Sequence, residues 1–360
     1  MKLLLVPSPS PNDTTTQGGE GMNPIRFLFF LFSATLYDTV LSVRTLSSSD
    51  PCHLTNQRDL RTLRWHQITV LINGYSEYRI PLLQSIAATY SASPLVSSVL
   101  VLWGNPSTPT QTLSQLAHNL SFSSLGTASI SLHRQPSASL NTRFLPRSSI
   151  GTHAVLICDD DVEMDPKSFE FAFRVWQSNS ERLIGVFVRS HDIDLIRKEW
   201  IYTVHPDKYS MILTKFMILK SSYLFKYSCG GGKEMSEMRN IVDEMRNCED
   251  ILMNFVVADV TNAGPVMVGA ERVRDWGDAR NDGDGDKDKD GGRKLRSRIS
   301  AVGLSSRGME HRKRRGKCIR EFHRVLGRMP LKYSYGKVVN SVGEQGLCKK
   351  GGKLVFCDQV

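Results

Sequence analysis

The run Ala154-Val155-Leu156-Ile157-Cys158, followed at once by Asp159-Asp160-Asp161, sets the strongest limit on how this chain can fold. A short apolar run with a β-branched pair reads as a buried strand. Three consecutive carboxylates at its carboxyl end cannot be buried unpaired, because each ionised group would lose its solvation. Either a cation meets them or they form a solvated acidic turn ahead of a helix starting at Asp165-Pro166. At the carboxyl edge of an α/β sheet, a divalent metal carrying a substrate phosphate would satisfy the first reading. The triplet alone leaves both open.

Around this motif the pattern alternates between strand and helix. Ile68–Ile72, Val96–Trp103 and Ser129–His133 read as strands, while Arg79–Tyr90 has helical spacing and Leu113–Leu120 suits a helix. Such alternation predicts a parallel sheet with crossover helices. Beyond the triplet, Phe169, Phe173 and Trp176 form the apolar face of a helix. Ile184–Val188 and Met211–Leu213 read as further strands, and Glu237–Val257 as a helix in two pieces broken near Asn247–Asp250. Trp103 and Trp176 read as core.

With 360 residues, 40% hydrophobic and 23% charged, the chain can bury a sizeable core. Its formal charge of +10 is uneven: from Arg293 to Arg320 there are eleven Lys or Arg residues against one acid, Glu310. Such a stretch attracts phosphate. Near the N-terminus, Arg26 precedes the apolar segment Phe27–Tyr37, extending to Val43 if Asp38 is tolerated; Met22 is an alternative start. This predicts a signal anchor or signal peptide over 26–43, an uncleaved anchor being favoured, with a tail at 1–25 and a stem at 44–65. Seven cysteines without a Cys-x-x-Cys argue against zinc; in an oxidising lumen some would pair, with Cys158 buried and reduced. Asn119-Leu120-Ser121 is a glycosylation sequon. The acidic, Gly-rich stretch at about 276–294 departs from a calcium loop at Ser297 and reads as a disordered insertion.

Taken in order, a set of segments resembles the exostosin-like glycosyltransferases of family 64, notably the plant members that act on glycosylinositol phosphorylceramide. The set comprises Ile68–Leu83, Val99–Asn105, Ser139–Phe144, Ala154–Asp161, Phe171–Trp176, Asp207–Met211, Asn247–Asp250, Gly303–Cys318 and Met329–Ser334. The resemblance covers a domain at 66–340 and leaves a tail at 341–360. It implies an α/β fold of GT-A type, with a mixed, mainly parallel central sheet flanked by helices. It further implies a Golgi membrane protein, single-pass type II with its catalytic domain lumenal, and sugar transfer with retention of configuration. Asp161 and Asp159 would hold Mn²⁺ against a nucleotide diphosphate, Asp160 lying beside them as a substrate-binding candidate. Arg79 and Arg143 fall on nucleotide-contacting positions, Arg315 on the diphosphate position, and His311 on a further site position. Asp250 matches the carboxylate facing acceptor or anomeric carbon, with orienting, electrostatic and nucleophilic roles all open. Cys248 and Cys318 match the family's disulfide, expected to tie an Asp250 loop to an Arg315 loop.

Departures fall in the base and ribose pocket. Gly104 and Ala138 stand where relatives carry asparagines, leaving Asn105 and Asn141 as replacements. Glu249 stands for a more usual Asp. With these departures the resemblance implies a UDP- or GDP-sugar donor, carrying mannose or an N-acetylhexosamine, and a glycan or sphingolipid headgroup as acceptor. The alternative is a non-catalytic binder of polyanions or lipid phosphate; nucleic acid is disfavoured by the apolar N-terminal segment.

Overall fold

The computed structural model describes residues 44–45, 50–53, 59–277, 308–340 and 347–356. The expected signal segment at 26–43 and nearly all of the acidic insertion lie outside these residues. Among the described residues no helix is long and apolar enough to cross a membrane.

The central sheet grows from strands whose apolar runs are buried on both faces. In chain order the strands begin with β1 (Arg44–Thr45), β2 (Arg64–Gly74), β3 (Val96–Trp103), β4 (Ser129–Arg134) and β5 (Thr152–Asp159), the runs buried on both faces being those of β2, β3 and β5. After β6 (Val162–Met164) come β7 (Ile184–Gly185), β8 (Val188–Asp194), β9 (Glu199–Thr203), β10 (Lys208–Tyr209), β11 (Met211–Ile212), β12 (Phe216–Lys220), β13 (Val266–Met267), β14 (Val273–Asp275) and β15 (Ser334–Tyr335). The sheet order is β1-β4-β3-β2-β5-β12-β7-β13. Every pairing is parallel except those of β12 with β5 and β7. The fold is thus α/β with a mixed, mainly parallel sheet flanked by helices.

Alternation along each strand divides the core in two. Ile68, Val70 and Ile72 join Val99, Val101, Leu156 and Cys158 on one face, while Leu71 joins Leu100, Leu102, Val155 and Ile157 on the other. The first face is covered by α1 (Ile80–Ser91), α2 (Thr110–Phe122) and α3 (Pro166–Ser178). The second is covered by α4 (Ser222–Cys229), α5 (Gly232–Met245), α6 (Glu249–Thr261) and α7 (Gly308–Leu326). Each fully buried Leu, Ile or Phe stabilises this sandwich by roughly 1.5–3 kcal/mol. Asp165 caps α3 by accepting from the Ser168 N–H at 3.0 Å, with Pro166 following, as the sequence predicted. Trp103 and Trp176 are buried.

Three local differences stand out. The strand expected at Ile184–Val188 divides: β7 stays in the main sheet, and β8 leaves to pair with β9 and β11. Gly185 sits so tightly under Phe216 and Ile212 that a Cβ there would lie 2.3–2.5 Å from them. The basic residues around Arg315, expected on a loop, instead form helix α7 from Gly308, with Arg315, Cys318, Ile319 and Phe322 as its buried stripe. The described parts of 44–65 are docked on the domain, through the pairing of β1 with β4 and a Cys52–Cys229 disulfide.

Strand order fixes where a ligand crevice falls. From β2 the chain moves outward through β3 to β4, then β5 returns to the opposite flank of β2. Ligands of open α/β sheets bind beyond the carboxyl ends of strands at such a reversal. There Asn73 of β2 stands in register with Asp159 of β5.

Candidate active site

Asp160 and Asp161 occupy the turn between β5 and β6, and β6 pairs at once with β14, so the turn is held from both sides. Arg79, ending a short 3₁₀ turn ahead of α1, places Nη1 2.9 Å from Asp160 Oδ1 and 2.8 Å from Asp161 Oδ2. All three side chains are buried, so burial, which disfavours the arginine's charge, is outweighed by Asp161 and Asp160 and its pKa rises. One guanidinium does not balance the triplet. Burial first, and then the charge of Asp159, push the Asp161 carboxyl up to about 7. Asp161 Oδ1 is buried without a hydrogen-bond partner. The far wall is Trp276-Gly277: the Trp276 N–H donates to the Asp161 carbonyl at 2.8 Å. A Cβ on Gly277 would fall 2.2 Å from Asp161 Oδ2. Lys215 pairs with Asp275 on the same wall and adds positive charge near Asp161.

Asp159 shares an arginine with the start of α6. Arg143 Nη1 lies 3.3 Å from Asp159 Oδ1 and 3.0 Å from Glu249 Oε1, and donates to Thr214 Oγ1 at 2.8 Å. Glu249 and Asp250 open α6, immediately after Cys248, whose φ of 81° is a strained conformation for a non-glycine residue. The Cys248–Cys318 disulfide holds that turn against α7, as the resemblance implied, but joins a helix start to a helix instead of two loops. Asp250 Oδ2 lies 2.6 Å from Arg315 Nη2, and Asp250 Oδ1 accepts the Ile251 N–H at 2.8 Å. Arg315 also donates to Asn247 Oδ1 at 3.0 Å and lies over the Tyr202 ring at 4.6 Å, while its Nε is buried without a partner. His311, one turn earlier on α7, faces Asn247 at 3.3 Å; burial and then Arg315 lower its pKa to about 4, so it is neutral here.

The structure therefore brings together three ion-paired groups, Arg79 with Asp160 and Asp161, Arg143 with Asp159 and Glu249, and Arg315 with Asp250, with neutral His311 beside the last. Two expected base-pocket residues behave otherwise. Asn141 donates to the Arg239 carbonyl and Asp243 Oδ1 at 3.0 and 2.9 Å and accepts from the buried Tyr227 hydroxyl at 2.5 Å, so its amide fastens the segment carrying Arg143 to α5. Asn105 accepts the Ser107 N–H at 3.0 Å and shapes its own turn. Sequence reasoning missed Lys215, Thr214, Asp275 and Tyr202; no local motif marks them, and they meet the site only through tertiary packing.

For a divalent cation, the oxygens on offer are the orphaned Asp161 Oδ1 and the partly exposed Asp159. Among the described residues no three Asp, Glu, His or Cys side chains converge as a ready metal cage. A cation bound with its substrate needs fewer, because phosphate oxygens and water complete the shell. The donor set fits such a shared ion.

Arginines and acids short of a counter-charge, gathered at the carboxyl ends of the strands where the sheet order reverses, suit the binding of a phosphorylated substrate. The chain belongs to glycosyltransferase family 64, whose domain it matches over residues 68–343. It is 67% identical to glycosyltransferase family protein 64 C3 of Arabidopsis thaliana over 341 residues, 94% of this chain and 99% of that protein. It is 26% identical to glycosylinositol phosphorylceramide mannosyl transferase 1 of the same plant over 284 residues, 76% of each. Against mouse exostosin-1 it is 42% identical over 130 residues, 36% of this chain and 17% of the larger protein. The protein is thus a glycosyltransferase, a class taking an activated nucleotide-sugar donor and a glycan acceptor, and the non-catalytic alternative falls away.

Proposed function

We propose that the protein is a Mn²⁺-dependent, retaining glycosyltransferase of GT-A type. In this reading it moves mannose or an N-acetylhexosamine from a nucleotide-sugar to the headgroup of a glycosylinositol phosphorylceramide-like sphingolipid. The observation that carries the reading is the buried, unpartnered Asp161 Oδ1 at the strand-order reversal, whose neighbour Asp159 shares Arg143 with Glu249, the residue before the Asp250–Arg315 pair. The likeness to an inositol phosphorylceramide mannosyl transferase supports the lipid acceptor. Two disulfides support an oxidising setting, in keeping with the Golgi lumen.

Asp161 and Asp159 would hold the metal, which when bound supplies Lewis-acid neutralisation of charge on the departing diphosphate. Arg79 fixes Asp161 and Asp160 through two bonds from one nitrogen. Arg143, clamped between Asp159 and Glu249, is positioned for the nucleotide. Arg315 has Nε free to donate to a phosphate oxygen. Both oxygens of Asp250 are engaged, one by a guanidinium, which blunts its nucleophilicity. Its role here is electrostatic: it steadies positive charge developing at the anomeric carbon and orients the acceptor hydroxyl. Neutral His311 lines the same side and presents no competing cation.

The test is incubation of the purified protein with a panel of UDP- and GDP-sugars, Mn²⁺ and an inositol-phosphate glycan acceptor. One donor should give a metal-dependent product of retained configuration. Absence of transfer from every donor would sink the proposal, and a covalent adduct of the sugar with Asp250 seen by mass spectrometry would overturn its electrostatic role.

A further inference from the structure

The β8–β9 hairpin ends in Leu195-Ile196-Arg197-Lys198, between Asp194 and Glu199, which face each other across the ladder. The turn supplies its own polar support: Asp194 Oδ1 accepts the N–H groups of Ile196 and Arg197 at 3.0 and 3.1 Å. Turn positions ordinarily go to Gly, Asn, Asp, Ser or Pro. Here, in contrast, Leu195 is 79% and Ile196 95% exposed, with Ile193 at 42% behind them. Neither Leu195 nor Ile196 belongs to either core cluster, so the fold does not explain them. The two following residues are exposed cations. Of the two flanking acids, Asp194 holds the turn and lies 3.9 Å from Arg197 Nε, and Glu199 is met by Arg320 of α7 at 3.5 Å. Among the described residues this leaves Lys198 as uncompensated positive charge beside Arg197. Adjacent bulky aliphatics followed by Arg-Lys suit the boundary between acyl chains and anionic headgroups, where apolar burial and charge attraction add.

The base of the same hairpin belongs to the active site. Tyr202 of β9 lies under Arg315, and Arg320 of α7 donates to the Trp200 carbonyl at 3.2 Å. At a strand rise of about 3.3 Å, the four residues from Tyr202 to Lys198 span roughly 13 Å. A glycosylated inositol-phosphate headgroup covers such a distance. We infer that the β8–β9 tip inserts Leu195 and Ile196 into the surface of an anionic bilayer, Arg197 and Lys198 meeting its headgroups, and so presents a membrane-held acceptor to Arg315 and Asp250. The catalytic part of this inference rests on the lipid-acceptor reading above.

The experiment uses the full-length protein with vesicles of phosphatidylcholine, with and without phosphatidylinositol. In Ile196→Trp, the fluorescence added over wild type should shift to the blue on anionic vesicles and lose at least half its intensity when the acyl chains carry bromine. Added fluorescence that bromine leaves unquenched would overturn the inference. So would a blue shift that depends on protein concentration without lipid, which would mean a second copy covers the tip. In the activity arm, Leu195→Ser/Ile196→Ser should lower kcat/KM for bilayer-embedded acceptor about 100-fold, each side chain contributing roughly tenfold. Transfer to the detached, water-soluble headgroup should be unchanged. Equal loss on both acceptors, or on neither, contradicts the inference. If wild-type protein transfers to neither acceptor, it is the acceptor assignment that fails, and the quenching result still decides the tip.

Discussion

Replacing Arg315 by Met removes a guanidinium that touches three groups: Asp250 at 2.6 Å, Asn247 at 3.0 Å and the Tyr202 ring at 4.6 Å. Asp250 is only 4% exposed, so the variant leaves a carboxylate with one backbone N–H and no cation. Breaking a buried ion pair from one side costs about 3–5 kcal/mol, a large share of the roughly 5–15 kcal/mol that holds a typical domain together. The double variant Arg315→Met/Asp250→Asn removes the stranded charge as well and should regain about 2–4 kcal/mol over the sum of the single variants. Urea unfolding at pH 7, followed by tryptophan fluorescence, measures all four corners of the cycle. Glycosyl transfer should be lost in the three variants alike, so recovery of stability without recovery of turnover separates packing from chemistry. A cost below about 1 kcal/mol for Arg315→Met, or a coupling near zero, would refute the buried pair.

Gly277→Ala places a Cβ where Asp161 Oδ2 now sits, 2.2 Å away, so either the carboxylate or the end of β14 must move. We expect about 1–3 kcal/mol of destabilisation by thermal unfolding and loss of metal-dependent donor turnover. His191, buried against Tyr333 with Nδ1 2.8 Å from Ser210 Oγ, has its pKa lowered from 6.5 to about 4, chiefly by burial. The unfolded chain therefore takes up a proton below about 6.5 that the folded chain refuses until about 4. Stability is full above that window and falls by up to about 3 kcal/mol as pH drops through it, and His191→Gln should flatten this slope in urea titrations. Asn141→Ala removes three hydrogen bonds that fasten the Arg143 segment to α5; it should cost about 1–3 kcal/mol in urea unfolding and raise the KM for the nucleotide-sugar as Arg143 loosens.

The parallel heart of the sheet was legible because Ile68–Ile72, Val99–Leu102 and Ala154–Cys158 are runs that only a strand buried on both faces explains. The break between α5 and α6 was legible from the polar Asn247–Asp250 stretch, where Arg246 and Cys248 adopt positive φ. The two-residue strands β7 and β11 were legible inside the apolar runs Ile184–Val188 and Met211–Leu213, whereas β10 and β13 leave no period to detect. Helix α7 was hidden because its buried stripe includes Arg315 within a run of basic residues, whose charge masks the spacing of Cys318, Ile319 and Phe322. In the candidate site, residues singled out by charge at motif positions come together in the structure: the Asp triplet, Arg79, Arg143, Asp250 and Arg315. Lys215 and Asp275 pair although they lie 60 positions apart in sequence, and nothing local in either segment signals the other. Asn141 misled for a related reason: an amide suits a nucleotide base and a backbone carbonyl equally, and only packing against Tyr227 and Arg239 decides between them.

The central claim is that Asp161 secures a divalent ion carrying the donor's diphosphate. Calorimetric titration of UDP and GDP into wild type and Asp161→Ala, each with Mn²⁺ and with chelator, tests it most directly. The account predicts that one nucleotide binds wild type at least 100-fold more tightly with Mn²⁺ than without, about 2.7 kcal/mol of linkage, and that Asp161→Ala abolishes the difference. Equal, metal-independent binding by both proteins would contradict it.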